Sequence, residues 1–175
     1  AGYNAQEVFD FHAGRAGTHA HGFVNPAVHR GSRSARVVSA GTGGIDWEWI
    51  SQLYRAGAKP CFDVLAVHPY IGDISPHHKY NPASDGPPLW LQKMADVRRV
   101  MRGSDDTRTP VWFTEFGWQT GASGVTPDQQ AEYLVDMVRM THQRLPYVRR
   151  MSWYTAKDEP SGGGEASHYG LYTAD

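Results

Sequence analysis

The 175-residue sequence has a single cysteine, Cys61, so no disulfide can close within the chain. Cys61 stands just before an apolar run and reads as a small buried hydrophobe rather than a nucleophile. Excess charge is equally lacking. Seventeen basic residues stand against eighteen acidic ones, for a net charge of −1. That balance gives no electrostatic reason to bind nucleic acid or an anionic membrane surface. No run of about 18 apolar residues occurs, so no transmembrane helix is expected. The first residues, Ala1-Gly2-Tyr3-Asn4, carry neither the basic nor the apolar region of a signal peptide. None of these absences fixes a compartment.

What is present fits a globular domain. The chain is 40% hydrophobic and 20% charged, and it is long enough to bury one core. Aromatic residues make up 12%, with six Trp and nine Tyr. Their flat faces and polar handles suit sugar rings and ordinary cores alike.

From residue 35 onward, strand and helix signals alternate. Arg36 to Ala40 is a short β-branched run closed by Gly41-Thr42-Gly43-Gly44. Asp46 is placed to cap a helix through Trp47, Ile50, Leu53 and Tyr54, ending near Gly57. Phe62 to His68 forms a second strand before Pro69, and a Pro- and His-rich loop follows. Leu91, Met94, Val97 and Met101 then recur at helical spacing. Val111 to Glu115 is the third strand, after the Asp105-Asp106 turn. Thr126-Pro127-Asp128-Gln129 reads as a capping box, and Ala131, Leu134, Val135 and Val138 give that helix its expected buried face. Val148 to Tyr154 is the fourth strand. Such alternation predicts an α/β fold with a parallel sheet. Four units amount to half a barrel or a small doubly wound sheet.

Residues 1–34 stand outside this scheme. They hold His12, His19, His21 and His29 among Gly, Ala, Arg and Ser, with no sustained apolar period. A linker, a displaced or mistranslated stretch, and a His-rich metal site are the competing readings. Spaced histidines without a fixed Cys, Asp or Glu partner carry little weight for metal, so no metal site is assigned.

In a parallel β/α barrel, chemistry sits where strands end. The four strands present Ser39 and Thr42, then His68 and Tyr70, then Glu115, then Trp153 followed by Asp158 and Glu159. If Glu115 points inward, strict alternation puts Phe113 and Val111 on its face, with Trp112 and Thr114 toward the helices. Likewise His68, Ala66 and Val64 would face in, with Leu65 and Val67 toward the helices. Trp47, Trp49 and Trp112 fall on positions expected to face the helix layer, and His77 and His78 on a loop expected to face water. His68 is equally readable as a structural histidine before Pro69.

Thr109-Pro110-Val111-Trp112-Phe113-Thr114-Glu115-Phe116-Gly117-Trp118 resembles strand seven of clan A retaining glycoside hydrolases. Phe62 to Tyr70 resembles strand six, Arg36 to Gly41 strand five, and Ser152-Trp153-Tyr154 with Tyr169-Gly170-Leu171 strand eight and beyond. The likeness covers residues 35–175 and implies strands five to eight of a partial (β/α)8 TIM barrel. It implies Glu115 as catalytic nucleophile in cleavage of β-linked sugars. It further implies Tyr70 and His68 beside that carboxylate, Trp153 beneath the sugar with a cis peptide after it, and Trp118 and Trp90 at outer subsites. No cofactor follows, since water and two carboxyl groups suffice. The acid/base Glu of the family lies in an Asn-Glu-Pro motif, which this sequence does not contain.

The expectation is therefore a fragment of a glycosidase, inactive alone, from a parent that is secreted or in the cell envelope. Its partner is a carbohydrate, and exposed sheet edges invite self-association. The alternatives are a non-catalytic carbohydrate-binding α/β domain and an unrelated small α/β protein.

Overall fold

The computed structural model describes residues 24–82, 85–159 and 168–173. Helix α1 (Val24–Gly31) opens them. It falls within the stretch whose sequence shows no sustained apolar period; Val28 packs against the core, and tertiary hydrogen bonds tie the helix to Asp63. Asn25 Nδ2 donates to Asp63 Oδ1 at 3.4 Å, and His29 Nε2 lies 2.9 Å from Asp63 Oδ2. The Val37 N–H also donates to Asp63, at 2.8 Å. Burial alone would raise the Asp63 pKa. The hydrogen bonds from Val37, His29 and Asn25 outweigh it, so the carboxyl sits below its ordinary value. His12, His19 and His21 lie outside the described residues.

Helix α2 (Trp47–Arg55) starts where Asp46 accepts a hydrogen bond from the Trp49 N–H at 2.8 Å. The chain leaves it at Gly57, whose φ of 85° suits a residue without Cβ. A 3-10 turn (Lys59–Cys61) follows, with Cys61 fully buried. Strand β1 (Leu65–Val67), helix α3 (Leu89–Gly103), strand β2 (Val111–Phe116), helix α4 (Pro127–Arg144) and strand β3 (Val148–Trp153) complete the order. The strands form one parallel sheet, β1-β2-β3.

The expected strand Arg36–Ala40 is reduced to one parallel bridge, Val38 with Val64. Its ladder is cut short because the Ala66 N–H donates to Ser39 Oγ, at 2.9 Å, instead of to a backbone carbonyl. The capping box is formed as expected: Gln129 N donates to Thr126 Oγ1, and Thr126 N donates to Gln129 Oε1. The buried face of α4 is not as expected, however. Gln130, Met137 and Thr141 are buried, whereas Val135 and Val138 are 44% and 43% exposed. Gln130 donates to the Trp118 carbonyl at 2.7 Å, and that bond fixes the rotation of the helix.

One apolar cluster joins α2, α3 and α4 to a single face of the sheet through Leu65, Val67, Val111 and Phe113. Asp106 closes its lower end. It is 3% exposed, accepting from Tyr54 Oη at 2.7 Å and from the Thr109 N–H at 3.1 Å. Burial and the hydrogen bond to Asp106 push the Tyr54 phenol well above its ordinary pKa.

Ala66 of β1 and its flanking residue Val64 are buried outside that cluster, in keeping with the alternation read from the sequence. β2 departs from it. Phe113 packs edge-on against Trp90 of α3, so it faces the helices. Trp112 faces the opposite way, beneath the Arg150 guanidinium at 4.4 Å, and is not a helix-layer residue. Phe113 pairs with Met151 and Phe116 with Trp153, so Thr114 and Glu115 together stand opposite Ser152 alone. This bulge returns Phe116 to the helix side and leaves Glu115 off it. The cis peptide bond is Tyr154–Thr155, one residue beyond the expected place. Among the described residues, no helix is long and apolar enough to cross a membrane.

Candidate active site

Glu115 sits near the C-terminal end of β2, and His68 and Tyr70 follow the end of β1. The parallel pairing of the two strands brings these ends together. Tyr70 Oη donates to Glu115 Oε2 at 3.2 Å, and His68 Nδ1 lies 3.7 Å from the same oxygen. The Glu115 side chain is 43% exposed against 17% for His68, so the carboxylate remains open to a ligand while its neighbour is enclosed. Burial is the main reason the Tyr70 phenol is held well above its usual pKa, and the Glu115 charge and hydrogen bond add to it. Tyr70 therefore stays a proton donor to the carboxylate across the ordinary pH range.

Close packing leaves His68 little room. A Cβ at Gly41 would fall on its imidazole, so the glycine after the Val38 bridge is what lets the ring reach Glu115. Two residues that sequence reasoning did not single out as site residues complete the wall. Tyr169 meets Tyr70 edge-on at 5.8 Å and Tyr154 at 5.8 Å. The signal was present in the Tyr169-Gly170-Leu171 motif, but nothing in the local sequence says that its ring crosses to Tyr70. A Cβ at Gly117 would press on the Tyr154 carbonyl and the Tyr169 ring.

Trp153 is half-buried at the end of β3. Its indole lies against Phe116 and Trp118, at 5.3 and 6.2 Å between centroids, and Nε1 donates to the Tyr169 carbonyl at 3.0 Å. Tyr154, the next residue, is the one whose ring joins the Tyr70–Tyr169 group. Trp118 and Trp90 are each 2% exposed and offer no face to a sugar. They brace the loop after β1 instead: Trp118 Nε1 donates to the Ile74 carbonyl and Trp90 Nε1 to that of Pro76. His77 and His78 are exposed, as expected, and His77 also pairs with Asp136 of α4 at 2.9 Å. Asp158 is occupied in joining chain segments, accepting from the Gly170 N–H at 2.7 Å. Among the described residues, no group of three or more His, Cys, Asp or Glu side chains could hold a metal ion.

Residues 16–171 match the family described as glycosyl hydrolase catalytic core. The chain belongs to that family. No curated protein matches it. Among solved structures, it is similar to a glycoside hydrolase family 17 β-1,3-glucanosyltransferase from Rhizomucor miehei, with 14% identity and a TM-score of 0.58 over 98% of this chain. It is also similar to an active-site mutant of the Rhizomucor miehei β-1,3-glucanosyltransferase in complex with laminaritriose, with 14% identity and a TM-score of 0.56, again over 98% of the chain. The chain spans 54% and 55% of those two structures, about half their length. At such identity the likeness is one of fold. The small parallel sheet with its helices corresponds to part of a barrel of the glycoside hydrolase type.

Proposed function

We propose that this chain supplies strands five to eight of a retaining glycoside hydrolase barrel acting on β-linked sugars, with Glu115 as the nucleophile. The observation that carries the reading is the shared contact of Tyr70 and His68 with one oxygen of a strand-end carboxylate that is otherwise open. Glu115 would attack the anomeric carbon, forming a carbon–oxygen bond as the bond to the leaving oxygen breaks and its electron pair departs with the aglycone. Water then adds at the same carbon as the Glu115–carbon bond breaks, and its proton passes to the second carboxyl group or to solvent. Tyr70 orients the carboxylate for attack and, remaining protonated, does not compete as a base. His68 Nδ1 approaches the same oxygen at 3.7 Å.

A natural leaving group needs a second carboxyl group about 5–5.5 Å away to protonate it. The sequence offers no Asn-Glu-Pro motif to supply one, and on that ground the chain alone is expected to leave natural glycosides intact. The same lack favours a second reading, a non-catalytic carbohydrate-binding domain.

A dinitrophenyl 2-deoxy-2-fluoro-β-glycoside separates the two, because its leaving group departs without protonation. Incubation followed by intact-mass and peptide analysis is expected to find the fluorosugar on Glu115, and none on a Glu115→Gln variant. A label on any other residue overturns the nucleophile. Absence of label with oligosaccharide binding retained favours the binding domain.

A further inference from the structure

A hollow of about 510 Å³ lies at the opposite end of the sheet from Glu115. Its walls include Arg98, Arg99 and Arg102 of α3, Arg144 at the end of α4, and Leu91 and Tyr147. The Tyr147 carbonyl accepts from the Val111 N–H at 3.0 Å, which puts the hollow where β2 and β3 begin. No acidic residue among the described ones lines it. Acids and bases nearly balance over the whole chain, so this concentration of positive charge is local. Among the described residues, only Arg99 of the four has a carboxylate partner, Asp96 one turn earlier. Arg98 Nη2 donates to the Thr107 carbonyl at 2.7 Å, and its guanidinium lies over the Tyr147 ring at 4.9 Å. Its Nε is buried and has no hydrogen-bond partner among the described residues. Burial pushes the Tyr147 phenol up to about 12, against the pull of the Arg98 and Arg102 charges.

We infer that this hollow binds a small organic phosphate, its phosphate held by the arginines and its aromatic or apolar body laid against Leu91 and Tyr147. The site is independent of any role for Glu115. Arg98 and Arg99 stand four and three positions before Arg102 on one helix, where like charges repel and weaken the helix. A last-turn position at a helix C-terminus favours Arg102 and Arg144. It does not account for Arg98 and Arg99, a turn earlier. A bound dianion turns that repulsion into attraction. Phosphate suits it, because a guanidinium presents paired N–H groups to two oxygens at once, and a phosphate ester carries more charge than one carboxylate. The Tyr147 ring and the Thr107 carbonyl hold Arg98 in place, so less freedom is lost on binding. The volume falls in the range of about 300–1,000 Å³ that small-ligand sites occupy. Bare phosphate needs far less, and the walls beside the arginines are apolar, which is the reason for a body on the ester.

Calorimetric titration of the full chain at low salt with inorganic phosphate, phenyl phosphate and adenosine diphosphate tests this. Both esters are expected to bind about tenfold tighter than inorganic phosphate, with affinity falling as salt rises. Arg102 and Arg144 are exposed and lie on different helices, so neither substitution removes a buried contact. Arg102→Gln and Arg144→Gln should each weaken adenosine diphosphate about tenfold, the loss of one charge-assisted hydrogen bond. Without ligand, the urea midpoint of Arg102→Gln should equal or exceed that of the wild type, because a like-charge contact is gone. Wild-type affinity in both variants, or no binding of any of the three compounds at millimolar concentration, overturns the site. Equal affinity for inorganic phosphate and the two esters overturns the apolar body. Tighter binding of a polyglutamate peptide or a single-stranded oligonucleotide overturns the small-ligand assignment.

Discussion

The Tyr70 hydroxyl and the Glu115 carboxylate, 45 positions apart in the chain, share a hydrogen bond of 3.2 Å at the adjoining ends of two parallel strands. Tyr70→Phe removes the donor and keeps the ring packed on Tyr169. Labelling of Glu115 by the fluorosugar is expected to slow about tenfold, because a misoriented carboxylate loses about 1–2 kcal/mol of the contact that aims it. A time course of adduct mass measures it, and an unchanged rate would show that Tyr70 does not position the nucleophile.

Asp63 predicts a pH dependence of stability. Its native pKa lies below the unfolded value of about 3.9, so the native state holds its charge more readily than the unfolded one. The resulting stability is fully present above the unfolded value and is lost as pH falls through the lowered native value. Urea unfolding at neutral and acid pH should show that loss, and Asp63→Asn should reduce it. At neutral pH the variant is expected to cost about 1–3 kcal/mol, as bonds to a charged acceptor weaken.

Tyr54→Phe takes away the hydroxyl that bonds buried Asp106. Among the described residues, the carboxylate then keeps the Thr109 N–H as its donor, at the other oxygen. A destabilisation of about 1–3 kcal/mol is expected, read as a lower urea midpoint with unchanged slope. Because Tyr54 lies on α2, away from the strand ends, oligosaccharide affinity should hold under conditions where the variant is folded.

Gly41→Ala places a methyl group where the His68 ring sits. The ring must turn away from Glu115, and overpacking is expected to cost about 1–3 kcal/mol. Fluorosugar labelling should fall by more than the folded fraction does. A parallel fall in both would mean that His68 serves the fold rather than the site.

Much of this arrangement was legible in the sequence where local chemistry decides structure. Asp46 caps its helix and Thr126 with Gln129 forms its box because those bonds lie within three residues. Glu115, Tyr70 and His68 meet because apolar runs of the right length end in polar residues. What failed depended on partners remote in the chain. Periodicity alone put Val135 and Val138 inside, whereas Gln130 on the Trp118 carbonyl sets the helix rotation. Trp118 and Trp90 resembled sugar platforms in composition, but their N–H groups are bound to loop carbonyls, which buries them. Helix α1 is only eight residues long, too short to announce itself by a sustained apolar period, and much of what holds it is Asp63, more than thirty residues away. Tyr169 joins the site by an aromatic contact across the chain that no spacing encodes.

The bulge at Thr114 and Glu115 bears on how the site withstands change. In a strand of strict period two, the aim of the last side chain is tied to every residue before it. A slip of the apolar body would then carry the carboxylate to the wrong side. The extra residue between Phe113 and Phe116 cuts that tie, because Phe116 takes its bearings from Trp153 rather than from Val111. Glu115 is thereby indexed from its downstream neighbour. The apolar stretch can drift in sequence, or give up a residue at the bulge, and the carboxylate still points away from the helices.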